Sequence, residues 1–263
     1  LVDARETILP LDGGAGSRIA LAATGTRRTE LAQIYSIDWT GEDADGNASV
    51  AAMLCDGLGL AHTVLYREAA RAKFGRSRPA RQHSKRLYWL RTSCVFRAPR
   101  EMTSNVTGLR PEGDLVLDAT GAEALQCGWQ VGAEAQAAIS SRSGLKGEIA
   151  VAIGRAVDKE DLAALSDDYG AWKDSLPKTL QPLITDFMRL ELHQPARAVE
   201  FYGHGDNFTV SPFSDRTLIE LALKLPVEMR GGPDLAEALI AALEPNLAGL
   251  PYRGDQPLAK AAE

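Results

Sequence analysis

The sequence predicts an α/β protein: a parallel sheet with helices on both faces, carrying an α-rich C-terminal region. Three observations lead there. Short apolar runs alternate with helix-compatible stretches up to residue 66 in the order β-α-β-α-β, and parallel strands need crossovers of that kind. A glycine-rich stretch, DGGAGSR, sits where the first strand must turn into the first helix. Beyond about residue 130 the strand signal fades and helical spacing of apolar residues takes over.

Taken in order, residues 7–11 (TILPL) are the first strand, and RIALAAT after the glycines is compatible with a helix. Residues 31–38 (LAQIYSID) bring β-branched and aromatic residues together as a second strand. WTGEDADGN is a turn cluster, ASVAAMLCDGLGL has helical spacing before Gly57 and Gly59, and HTVLY is a third strand. LVLDATG, residues 115–121, reads as a strand and turn. Helical patterns then cover 156–200 and 214–244, including LIELALKLP and DLAEALIAAL, each ending near Pro or Gly. The expected organisation is an α/β core over 1–130 and a helical part of the same domain over 131–263.

Composition narrows the class. With 45% hydrophobic and 24% charged residues, collagen-like, coiled-coil and largely disordered chains are excluded. No apolar run approaches the ~20 residues that cross a bilayer, and LVDARETILP lacks the basic start and long apolar stretch of a secretory signal. No membrane partner is expected. Opening at Leu1 rather than Met leaves room for an N-terminal part that has been removed. Cys55, Cys94 and Cys127 are far apart and form no CxxC, which argues against a zinc site or disulfide framework and fits a reducing cytoplasm.

The net charge of −6 is unevenly distributed: eleven Lys and Arg face one acid, Glu68, between Arg67 and Arg100. A solvated, partly helical surface is the plain explanation. The segment could also neutralise a triphosphate, bind an acidic substrate or leader peptide, or engage RNA phosphates. The acidic balance of the whole chain and the absence of a nucleic-acid motif weigh against RNA.

Leu11-Asp12-Gly13-Gly14-Ala15-Gly16-Ser17-Arg18 can do chemistry because glycines let a ligand approach the backbone. Successive N–H groups at a helix N-terminus then form an anion site; a tight turn without a ligand is the plain alternative. LDGGAGSRIALAA resembles the pyrophosphate-binding loop S/T-G-G-x-D-S of the PP-loop ATP pyrophosphatases, in the form found in asparagine synthetase-like proteins. Three more segments resemble that family in the same order: IYSIDWTGEDADGNASVAAMLCDGLGLAH, LVLDATGAEALQCGW and SPFSDRTLIELALKLPVEMR. The four span Leu9 to about Arg230. The chain thus resembles the synthetase domain of that group, which includes β-lactam synthetases and lasso-peptide cyclases.

The resemblance implies a PP-loop fold and a reaction in which ATP activates a carboxylate as an acyl-adenylate, releasing pyrophosphate, before an amine or ammonia forms the amide. By position, Leu11, Asp12, Gly13, Gly14, Gly16 and Ser17 would hold the phosphates. Ile34 and Ser36 would line the adenine, and Gly121 would approach the α-phosphate or ribose. Glu123 would help hold Mg²⁺, whose preference is for carboxylate and phosphate oxygens.

The loop departs from the pattern in two places: its first Ser is Asp12, and its Asp is Gly16. Asp12 is expected either to weaken ATP binding or to act as a displaced metal ligand. In the second loop Ala124 and Gln126 replace a Glu and an aromatic residue. Arg253 or Lys260 would stand for the Lys that stabilises charge as the amide forms, although Arg changes shape and reach. Three functions stay open: a divergent ligase acting on a small-molecule or peptide carboxylate, an impaired homologue serving as a binding or scaffold partner, and an RNA-modifying PP-loop enzyme. Only ten residues precede Leu11 and none is Cys; either an amidotransferase domain has been excised, or ammonia is expected to come free, from a substrate amine, or from a separate amidotransferase. A leader-peptide-binding protein is a further conceivable partner.

The remaining candidates have plainer explanations. His62 and His193 are lone histidines suited to packing or surface positions, and Trp129 and Phe213 are core aromatics. Asp215 suits a helix N-cap. Glu42, Asp43 and Asp45 form a solvated turn.

Overall fold

The computed structural model describes residues 6–38, 43, 46–66, 113–122, 125, 170–187, 190–191, 208–226, 229 and 234–252. Its centre is a sheet of five parallel strands: β1 (Thr7–Pro10), β2 (Gln33–Asp38), β3 (Thr63–Tyr66), β4 (Leu115–Leu117) and β5 (Phe208–Val210). The spatial order is β3-β2-β1-β4-β5. β1 is central, and its Ile8 and Leu9 are fully buried, as expected for a strand covered on both faces. Leu9 pairs with Ile34 of β2, and Ile8 with Val116 of β4. Pro10 falls at the last position of β1, beyond the pairing with β4, so its missing N–H interrupts no ladder there. Leu11 N–H still reaches the Tyr35 carbonyl at 2.7 Å before the chain leaves the sheet.

The first two crossovers contain helices α1 (Ala15–Ala23) and α2 (Asn47–Gly57). A 3₁₀ stretch, Gly25–Glu30, follows α1. In the C-terminal half lie a short α3 (Ile184–Phe187), α4 (Arg216–Lys224), α5 (Asp234–Leu243) and a 3₁₀ turn at Pro245–Leu247. Asp215 accepts the Leu218 N–H at 3.0 Å and so caps α4 as its position suggests.

The alternation of side chains along the strands produces two apolar clusters. One joins Leu9, Leu11 and Ile34 to Leu21 of α1, Val50 and Leu54 of α2, and Ile240 of α5. The other gathers Ile8, Tyr35 and Val116, with Ile37 and Leu65 packed against them. Phe213 is buried in the first cluster.

The parallel α/β architecture therefore matches the sequence reading. The fifth strand does not come from where strand signals are strongest: β5 lies past residue 200 and hydrogen-bonds to β4, so the sheet draws on both halves of the chain. The basic segment 67–100 lies outside the described residues, as do His193 and Trp129. No helix among the described residues is long and apolar enough to cross a membrane.

Candidate functional site at the carboxyl end of the sheet

In the order β3-β2-β1-β4-β5 the chain works outward from β1 in one direction and then resumes on its other side at β4. In open parallel sheets, ligands bind at the carboxyl ends of the strands on either side of such a reversal. The loop Leu11–Gly14 leaves β1 at that point, and residues 118–122 leave β4 beside it.

These two loops are in close contact. A Cβ at position 16 would lie 2.7 Å from the Ala122 Cβ and 3.5 Å from that of Ala119, so glycine is what lets the first turn of α1 reach the β4 loop. Gly121 has φ +93, a conformation L side chains rarely adopt, and packs over the backbone of Phe213. The Asp118 carboxylate accepts the Thr120 N–H at 2.6 Å, and the Ser211 hydroxyl donates to the Thr120 carbonyl. The β4 loop is thus fixed by its own carboxylate and by the segment after β5.

The glycine loop carries its own anion. Asp12 Oδ1 accepts the Gly14 N–H at 2.9 Å and the Ser17 hydroxyl at 2.5 Å. Asp12 N–H donates to Ser17 Oγ at 3.2 Å. A carboxylate at a helix N-terminus is favoured by the helix dipole, and here it uses donors that could otherwise meet a phosphate oxygen. Gly14 is the N-cap residue of α1 and no side chain caps the helix. Gly13 is buried, and its N–H goes sideways to the side-chain oxygen of Asn47, the first residue of α2, at 3.3 Å.

Of the β2 residues, Ile34 is core, and Ser36 lies under the loop. Ser36 Oγ donates its one proton to the Leu11 carbonyl at 2.6 Å. It must then accept at its 2.8 Å contact with His62 Nε2, so that nitrogen carries a proton. Ser36 and His62 accordingly support Leu11 and do not form a nucleophile–base pair. Burial pushes the His62 pKa below its ordinary 6.5, outweighing the opposing influence of Asp56 and Asp43.

Asp43 is not the solvated turn residue expected of it. Its carboxylate accepts the N–H groups of Ala48 at 2.8 Å and Ser49 at 2.7 Å, and its own N–H donates to the buried Asp38 at 3.1 Å. The end of β2 thereby holds the N-terminus of α2, which in turn holds Gly13.

The structure brings together Leu11, Asp12, Gly13, Gly14, Gly16, Ser17 and Ser36, with Gly121 on the adjoining loop. Glu123, Arg253 and Lys260 lie outside the described residues, and no group of three metal-ligating side chains occurs among the described ones. Sequence reasoning missed Asn47 and Arg18. Asn47 carries no signal beyond its place at the head of a helical pattern. Arg18, fully buried, donates to the carbonyls of Leu250 and Pro251 and lies 3.9 Å from the centre of the Tyr252 ring.

These features define an open parallel-sheet α/β protein with a switch-point loop. No family model matches the chain, and comparison with curated proteins and with solved structures also produces no match.

Proposed function

We propose that the chain is an ATP-dependent ligase of asparagine synthetase type, built on a PP-loop core, that forms an amide through an acyl-adenylate. The observation that carries this reading is the placement of the DGGAGS loop at the β1–β4 switch point, at the N-terminus of α1. Glycine there admits close approach, and Gly14 N–H and Ser17 Oγ already bind a carboxylate oxygen, which is evidence that they suit an anion. Leu11 to Ser17 would hold the diphosphate and Gly121 would face the α-phosphate or ribose, while Ile34 and Ser36, both buried, would back the loop from β2.

Mg²⁺ fits the donor set, because it binds through one or two carboxylates together with substrate phosphates. Asp12, with Glu123, would hold it. The ion would neutralise charge as pyrophosphate departs. Arg253 or Lys260 would stabilise the charge that develops as the amide forms, and the acyl substrate would be a small-molecule or peptide carboxylate.

A second reading has its own support. Since Asp12 occupies Gly14 N–H and Ser17 Oγ, the loop could be self-satisfied, leaving an impaired homologue that acts as a binding partner. Two like charges ~4 Å apart repel by about 4 kcal/mol at an effective dielectric of 20. That is enough to suppress phosphate binding unless a metal bridges the pair.

Calorimetric titration with Mg-ATP and pyrophosphate release over a panel of carboxylates test the ligase. Binding and release are expected; no binding at millimolar ATP removes the reading. Asp12→Ser separates the alternatives: a gain in ATP affinity without activity favours the impaired homologue, and a loss of activity favours an adapted site.

A further inference from the structure

The glycine loop is held by a residue outside it, and we infer that Asn47 is the positioning residue that presets this loop for its ligand. The inference rests on the phosphate-binding reading above and deepens it. Gly13 and Gly14 have the widest backbone freedom in the chain's repertoire, so a loop built from them must be restrained from outside if its donors are to point one way. Gly13 is buried, and its N–H ends on Asn47 Oδ1 at 3.3 Å. Asn47 is itself 8% exposed, so neither partner of that bond has water as a ready substitute.

Asn47 in turn is fixed by more than its own helix. The Asp43 carboxylate holds the next two amides of α2, those of Ala48 and Ser49. The Asp43 N–H is anchored on Asp38 at the end of β2. One hydrogen-bonded path therefore runs from the carboxyl end of β2, through the head of α2, into the β1–α1 loop. On the other flank Ser36, also on β2, donates to the Leu11 carbonyl just ahead of Asp12. β2 grips the loop from both directions, and Asn47 is the member that touches the glycines. Its carboxamide does not meet the ligand; it sets the Gly13 peptide plane and hence the directions of Gly14, Ala15 and Gly16 N–H.

Two variants and two readouts test this. Asn47→Ala removes the acceptor. Leu54→Val, in the core of the same helix, serves as a stability control, since its apolar side chain makes no hydrogen bond to the loop. By calorimetry with Mg-ATP, Asn47→Ala is expected to weaken binding about tenfold or more, while Leu54→Val, at comparable melting temperature, stays within about twofold. Binding by Asn47→Ala within about twofold of the wild type overturns the inference, as does an equal loss in Leu54→Val.

Amide exchange followed by NMR gives an independent readout. Gly13 N–H is expected to exchange at least about ten times faster in Asn47→Ala and at an unchanged rate in Leu54→Val. Equal Gly13 rates in wild type and Asn47→Ala overturn the positioning role whatever the ligand. If the wild type binds no Mg-ATP but Gly13 exchange responds as expected, the ligase reading fails, and with it the claim that the preset loop serves a phosphate.

Discussion

His62 shows how one side chain's burial becomes a property of the loop. Its Nε2–H donates to Ser36, whose hydroxyl supports the Leu11 carbonyl, and burial depresses its pKa. The folded state thus favours neutral imidazole, whereas the unfolded chain takes up its proton near the ordinary 6.5. Stability from this residue is complete above that value and declines as pH falls through it toward the lower folded pKa. His62→Gln keeps an N–H donor for Ser36 but does not titrate. Urea denaturation between about pH 7 and pH 5 should show a shallower loss of stability in His62→Gln than in the wild type. Parallel profiles would sink this assignment. Cys55 is the opposite case: burial raises its thiol pKa to about 11, so it packs in the core and stays protonated.

At the scale of elements, the close approach of α1 to the β4 loop decides what position 16 can hold. With only 2.7 Å between an added methyl carbon and Ala122 Cβ, Gly16→Ala forces one backbone segment to move. Overpacking of this kind costs about 1–3 kcal/mol. The double variant Gly16→Ala/Ala122→Gly should recover part of that loss, since the clash is removed from the other side. A thermal-melting double-mutant cycle measures the coupling, and strict additivity would falsify the contact. By the same geometry, Gly16→Asp needs Ala122 to yield first.

The elements themselves were largely legible. β1, β2 and β3 are short apolar runs with β-branched or aromatic residues, and α4 and α5 have helical spacing with a cap or a Pro nearby. β5 was not legible because Phe208–Val210 is three residues long with a polar Thr at its middle, whereas β4, equally short, is the wholly apolar run Leu115–Leu117. Glycines at 13, 14 and 16 pointed to the loop, but nothing local announced that Asn47, 34 residues away, would hold Gly13. That contact exists only because two successive crossovers leave the carboxyl ends of the adjacent strands β1 and β2. Asp43 looked like a solvated acid because a turn cluster is polar whether or not its carboxylates find amides.

For the whole molecule, the decisive tie is the one between Arg18 and the segment Leu250–Tyr252, residues separated by 232 or more positions. Burying a guanidinium is unfavourable unless its hydrogens are used and its face is covered. Here one terminal nitrogen donates to the Leu250 carbonyl at 2.7 Å, the other to Pro251 at 2.5 Å, and the Tyr252 ring lies against the plane. The Arg28–Glu244 ion pair joins the same two regions a little farther along, and the hydrogen bond from Arg28 holds the Glu244 carboxyl below its ordinary pKa. These contacts tie α1 and the 3₁₀ stretch after it to the end of the described chain. Hydrogen bonds from a charged donor contribute about 1.5–3 kcal/mol each, partly offset by the relief of no longer burying the cation. Arg18→Ala is thus expected to lose about 3 kcal/mol, read as a lower urea midpoint with an unchanged m-value. Arg18→Lys should recover little, because an ammonium cannot span two adjacent carbonyls and stack on the ring together. A loss below about 1 kcal/mol in Arg18→Ala, or full recovery in Arg18→Lys, would mean that the C-terminal segment is held by packing alone.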